Sequence, residues 1–101
     1  MVDIIVNSAY NEVAGSALPK IGIMILNQNG ERWLSPLYHS IKKQNYAALN
    51  VYLVDNASTD GSVRITGTQH PDVTILRLSK NAGYCMAYNL AMPIAFERVL
   101  R

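Results

Sequence analysis

Hydrophobic residues in this chain come in short unbroken runs, each closed by a cluster of polar turn-formers. The first is Ile21-Gly-Ile-Met-Ile-Leu26, which gives way at once to Asn27-Gln28-Asn29-Gly30. Its length and β-branched content predict a strand buried on both faces. Asn-Gly marks the turn after it. Val51-Tyr-Leu-Val54 predicts a second buried strand, running into Asp55-Asn56-Ala-Ser58-Thr-Asp60-Gly61. Val73-Thr-Ile-Leu-Arg77 predicts a third, with a loop over 79–83 in which Gly83 supplies a positive φ.

Helical spacing fills the gaps. Leu34, Leu37, Tyr38 and Ile41 recur at three and four residues and make one apolar stripe. Ser35-Pro36 predicts where this helix starts, since serine is a preferred cap and proline is tolerated at the first position. A short helix is expected over 62–69 and a long one over 84–101, kinked at Pro93. Strands alternating with helices imply an α/β fold of three layers, α/β/α, with a mainly parallel sheet. Ile4-Ile-Val6 has the composition of a short strand, and Ala14–Ala17 reads as a joint closed by Pro19. Residues 1–20 are therefore taken as an N-terminal extension of a domain at 21–101.

Composition narrows the function classes. The chain has 101 residues, 50% hydrophobic and 16% charged, which is globular and enough for one domain. The formal charge of +2 is scattered, with no stripe of basic and aromatic residues, so nucleic acid is not an expected partner. A single cysteine, Cys85, excludes an internal disulfide framework and suits a reducing, cytoplasmic compartment. No apolar run reaches the ~20 residues that a membrane span needs.

Candidate chemistry lies past the carboxyl ends of the strands, where open parallel sheets bind ligands. Three polar clusters fall there: Asn27-Gln28-Asn29, Asp55 to Asp60, and Asn81 to Gly83. No glycine-rich phosphate loop is present. Asn56 to Gly61 half-matches a calcium loop, but position twelve is Gly67 and a strand precedes it, so that reading is rejected. Cys85 is expected as a buried small hydrophobe, Trp33 as a packing anchor, and His39 and His70 as surface or cap residues.

The strings ILNQNG, VYLVDNASTDGS and PDVTILRLSKNAGYCMAYNLA, in that order, resemble the start of a family 2 glycosyltransferase, in its rhamnosyltransferase-like branch. Asn27 and Asp55 are 28 positions apart, about one βαβ step. The resemblance implies a partial GT-A fold, a Rossmann-like nucleotide-diphospho-sugar transferase fold. It implies that Asn27, Gln28, Asn29, Asp55 and Asn56 hold the nucleotide while Ser58 and Asp60 shape the loop. Asn81, Gly83 and Asn89 match the family's third motif. Gln28 stands where the family usually has an aromatic, Tyr84 where it has Phe, and Cys85, Met86 and Ala91 at small or glycine positions.

The expected partners are a UDP- or dTDP-sugar and a glycan or glycolipid acceptor of cell-surface polysaccharide synthesis, at the inner face of the membrane. A divalent metal, Mg or Mn, is expected in the full-length enzyme. The family's D-x-D and general base lie beyond the third helix, and this chain has no D-x-D. No catalytic or metal residue is assigned, and the chain is read as a truncated, inactive nucleotide-binding half. A non-catalytic interaction module and a non-functional fragment stay open as alternatives. Three strands are expected to leave at least one long apolar edge unpaired, with only Arg77 as a charged guard on the third strand and none on the first, so self-association or a poorly packed state is expected as well.

Overall fold

The structure is a computed structural model that describes residues 4–7 and 20–100, with side chains described for 20–97. The elements run β1 (Ile4–Asn7), β2 (Ile21–Asn27), α1 (Glu31–Lys42), β3 (Leu49–Asp55), α2 (Ser62–Gln69), β4 (Thr74–Leu78) and α3 (Gly83–Leu100). One sheet has the order β1-β4-β3-β2. The pairs β2–β3 and β3–β4 are parallel, as the alternation of strands and helices requires. β1 joins antiparallel beside β4, with Ile4 opposite Leu78 and Asn7 opposite Ile75. The third predicted strand is therefore not an edge of the sheet. Its outer backbone groups are taken up by β1, and β2 remains the open edge of the parallel set.

Helices cover both faces, because each strand's side chains alternate between them. Leu53 and Val73 pack with Leu34 and Tyr38 of α1 on one face. Tyr52, Val54, Leu76 and Leu78 pack with Ala87, Ala91 and Ala95 of α3 on the other. The three alanines, spaced four apart, make a flat stripe that lets the α3 backbone lie close to the strands.

α1 starts five residues earlier than Ser35-Pro36 suggested, with Gly30 in place of Ser35 as its N-cap residue and Glu31 in place of Pro36 as its first. The N–H of Gly30 donates to Asn27 Oδ1 at 3.1 Å, and that of Glu31 to Asp60 Oδ2 at 3.1 Å. A local side chain, Asn27, thus engages the N-cap residue Gly30, and a distant one, Asp60, takes the first-turn N–H of Glu31. Ser35 is turned to a different use, its hydroxyl lying 3.1 Å from His70 Nε2. Pro36 sits inside the helix, where it removes a single backbone bond on an exposed side. α2 matches the expected span, and α3 runs through Pro93 as one helix.

His70 is the C-cap of α2, one of the two places expected for it, but it is buried: it is 5% exposed, with its ring tilted against Tyr38 at 4.5 Å and His39 edge-on at 6.2 Å. Tyr38 in turn shares a 2.9 Å hydrogen bond with Thr66, and burial pushes its hydroxyl up to about 12. This cluster ties α1 to α2. Trp33 and Cys85 are both exposed, against expectation: Trp33 is 64% exposed, with the Arg32 guanidinium 4.6 Å over its ring.

Two measurements test this packing. Gly83 has φ +76 and open space where a Cβ would stand, so Gly83→Ala meets only backbone strain. It should cost about 1–2 kcal/mol in urea denaturation, and Gly83→Asn less. Desolvation, helped by the charge of Lys42, lowers the His70 pKa below 6.5. The unfolded chain then binds the proton more readily, so stability is full above pH 6.5 and falls as pH drops through and below it. Thermal melts across that window should show the loss, and His70→Gln should flatten it.

Candidate functional site

The parallel register sets Asn27 directly beside Asp55 at the last rung of β2 and β3. Both are nearly fully buried, at 5% and 2% exposure. Asn27 Nδ2 donates to Asp55 Oδ1 at 2.9 Å and to Ser58 Oγ at 3.2 Å. Ser58 Oγ donates to Asp55 Oδ1 at 2.6 Å, and its N–H to Asp55 Oδ2 at 2.9 Å. Three donors therefore hold a buried carboxylate that water could not reach. The backbone continues the join, Asn56 N–H donating to Asn27 C=O at 2.9 Å.

Asn29 ties the two rim loops together. Its N–H donates to Ser58 Oγ at 2.9 Å. Its Oδ1 accepts from the N–H groups of Thr59 at 2.8 Å and Asp60 at 3.2 Å. Asn29 and Ala57 both adopt left-handed backbone, with φ of 55 and 60. Asparagine tolerates this well, whereas at Ala57 it costs about 1–2 kcal/mol. That turn at Ala57 aims the Ser58 N–H back at Asp55.

Asp60 lies between two helix starts. Oδ2 accepts from the Glu31 N–H of α1, and Oδ1 from the Ser62 N–H of α2 at 2.9 Å and from its hydroxyl at 2.5 Å. Glu31 answers with Oε1 on the Gly61 N–H. Each helix is capped by a carboxylate from the other's segment, and the negative charges suit both dipoles. Desolvation raises the Asp60 pKa, but the hydrogen bonds from Ser62 and Glu31 together outweigh it and hold the carboxyl below its ordinary value. Glu31 escaped the sequence reading; its only local signal is an acidic residue in a helix's first turn.

Asn56 links the third loop. It is 1% exposed, donates from Nδ2 to Asn81 Oδ1 at 3.0 Å, and accepts at Oδ1 from the Ala82 N–H at 2.9 Å. Asn81 Oδ1 also accepts from the Gly83 N–H at 2.8 Å. Nine of the ten residues singled out thus meet at one rim. Asn89 does not join them. It is exposed on α3, two residues from the buried Ala87 and Ala91 on either side, on the face turned from the sheet.

The rim's polar atoms divide into two sets. Those of Asn27, Asp55, Ser58 and Asp60 hold the loops in shape, as does the side chain of Asn56. Gln28, Asn29 and Asn81 are exposed, and neither the Gln28 side chain nor the Nδ2 of Asn29 or Asn81 takes part in these scaffold hydrogen bonds. Among the described residues no three His, Cys, Asp or Glu side chains gather to hold a metal ion. The two rim aspartates are engaged by internal donors, so these residues do not fit a metal, and no step is derived through one. Among the described residues no helix is long and apolar enough to cross a membrane.

With this geometry in view, comparison with known proteins defines the class. Residues 21–100 match the family Glycosyl transferase family 2, and the chain belongs to that family. No protein of curated function matches it. Among solved structures it is similar to mannosyltransferase PcManGT from Pyrobaculum calidifontis, in complex with GDP-Man and Mn2+. The identity is 30% and the TM-score 0.67, over 76% of this chain and 24% of that one. The fold is a partial GT-A fold, and the chain spans about a quarter of that mannosyltransferase's length.

The buried pair supplies a direct test. Asn27→Ala strips the Asp55 carboxylate of one donor and the Gly30 N–H of its acceptor. The expected cost is about 1.5–3 kcal/mol, the usual worth of a hydrogen bond to a charged group, measured by chemical denaturation.

Proposed function

We propose that this chain is the nucleotide-binding part of a glycosyltransferase that uses a nucleotide-diphosphate sugar. The observation that carries the reading is the single rim at the carboxyl ends of β2, β3 and β4, where three polar loops are locked together and leave side-chain amides facing outward. Family membership and the GDP-Man in the similar mannosyltransferase support the same reading.

The residues divide their work. Gln28, Asn29 and Asn81 offer amide groups to the base, ribose or phosphates of a UDP- or dTDP-sugar. Asp55, with Asn27, Asn56, Ser58 and Asp60, keeps those groups in place. Asp55 is a positioning residue in this reading: three donors already engage its carboxylate, which has about four acceptor sites in all. A divalent metal and a base to activate the acceptor are supplied outside these residues, so the 101-residue chain by itself transfers no sugar. The acceptor is a glycan or glycolipid, in the rhamnosyltransferase-like manner that the sequence motifs resemble.

Titration calorimetry with UDP, dTDP and GDP tests this. At least one should bind, and Gln28→Ala should weaken it with the melting temperature unchanged. Asp55→Asn should lower melting temperature and affinity together, by about 1–3 kcal/mol in binding. A folded chain that gives no heat with any of the three nucleotides overturns the reading.

A further inference from the structure

α1 turns one row of side chains toward the segment that carries α2. Glu31, Ser35, Tyr38 and Lys42 recur at four-, three- and four-residue spacing, so they share one face of the helix. Each meets a different point of that segment. Glu31 takes the Gly61 N–H, Ser35 reaches His70, Tyr38 shares a hydrogen bond with Thr66, and Lys42 lies 3.9 Å from Asp72. The first contact belongs to the rim, where Glu31 and Asp60 exchange caps, and Ser35 stands one helical turn below it. The last is an exposed ion pair, which adds little. The middle of the row therefore carries the seam between the helices, with His70 at its centre.

His70 has little freedom there. Its N–H donates to Thr66 C=O at 3.0 Å and its C=O accepts from the Val73 N–H at 3.1 Å, which ties its backbone to α2 on one side and to the residue before β4 on the other. Nε2 lies 3.1 Å from Ser35 Oγ, while Nδ1 is buried and has no hydrogen-bond partner among the described residues. The proton of the neutral ring therefore belongs on Nε2, where Ser35 Oγ accepts it. A second proton has to enter at Nδ1, where no described group accepts it. The surroundings oppose that cation on balance. Burial disfavours it, Lys42 and His39 of α1 add to this, and Asp72 in the turn before β4 favours it. Tyr38 stays uncharged against the ring, the sheet below contributes apolar Leu53 and Val73, and Arg64, the one charge in α2, stands at the other end beside Gly61.

We propose that the α1–α2 seam is a proton-operated latch: a proton taken from solvent onto Nδ1 of His70 drives the ring out of its contacts with Tyr38 and Ser35, parts the two helices, and so frees the caps that Glu31 and Asp60 exchange at the rim. The backbone of His70 is fixed on both sides, so water reaches Nδ1 only when the ring and α1 separate. Glu31 is one turn from Ser35 on the same face and moves with it. The Gly61 and Glu31 N–H groups then lose their acceptors, and those of Thr59 and Asp60 loosen from Asn29. The parallel ladders do not run through the seam and stay closed. This inference rests on contacts among described residues and holds whether or not the rim binds a nucleotide.

NMR of the protein from about pH 7.5 to about pH 5, which brackets the ordinary histidine value, tests it. Imidazole nitrogen shifts should place the proton of neutral His70 on Nε2. As the pH falls, amide protection at Glu31, Thr59, Asp60 and Gly61, corrected for the intrinsic exchange rate, should drop severalfold, limited to about tenfold per pH unit. Protection at Leu53, Val54 and Leu76 should stay higher throughout and depend more steeply on denaturant, because the seam opens without the sheet. Ser35→Ala removes the acceptor of Nε2 at a position where alanine suits the helix, and should loosen the same rim amides at neutral pH. His70→Gln should abolish the pH response, and His39→Gln, at an exposed position, should keep it. Five results each overturn the proposal: a neutral ring protonated on Nδ1, rim protection that ignores pH, rim and sheet amides that share one opening energy, rim amides unaltered by Ser35→Ala, or a response that survives His70→Gln or vanishes with His39→Gln.

Discussion

A single buried hydrogen bond, from Asn27 to Asp55, sets the terms for the rest of the rim. It exists because parallel strands run in register and end at the same level, which puts the last residue of β2 beside the last residue of β3. An isolated carboxylate there would be expensive to bury. With Asn27 and Ser58 donating, the charge is tolerated, and both loops must then leave the sheet along paths that keep those donors in place. The left-handed turns at Asn29 and Ala57 follow from that demand.

Helix starts are the second constraint. Two helices on one face of a parallel sheet begin near the same rim, and their first N–H groups need acceptors. Asp60 and Glu31 meet the need reciprocally across the gap between segments. The scaffold is thereby closed from the strand ends to the helix ends, and Asn56 extends it to the loop before α3. A rim built this way is held in shape by its own hydrogen bonds, with no ligand needed to close it.

The two flanks of the sheet are unequal for a physical reason. β1 satisfies the outer groups of β4, while β2 offers its own to solvent along an uncharged strand. Among the described residues, Trp33, Leu37, Met92 and Phe96 in the helical layers are exposed.

Much of this was legible in the chain itself. Unbroken apolar runs ending in Asn and Asp told of parallel strands and a polar rim, because strand composition leaves a pattern that is local, but the run at 21–26 is only half-buried where burial on both faces was expected, since β2 lies at the end of the sheet. Gly83 was legible for the same reason: a positive φ is a demand on one residue. The motifs carried the family, which the match over 21–100 shows. Tertiary structure alone decided the rest. The start of α1 at Glu31 depends on Asp60, distant in sequence, so the local Ser-Pro signal misled. His70 caps α2 as one reading expected, but its burial came only when α1 and α2 closed on it. The leader's pairing with β4, the division of the rim between scaffold and outward groups, and the open β2 flank all depend on which segments become neighbours. Local preference is written residue by residue, whereas a hydrogen bond spanning some thirty positions exists only once the sheet has chosen its order.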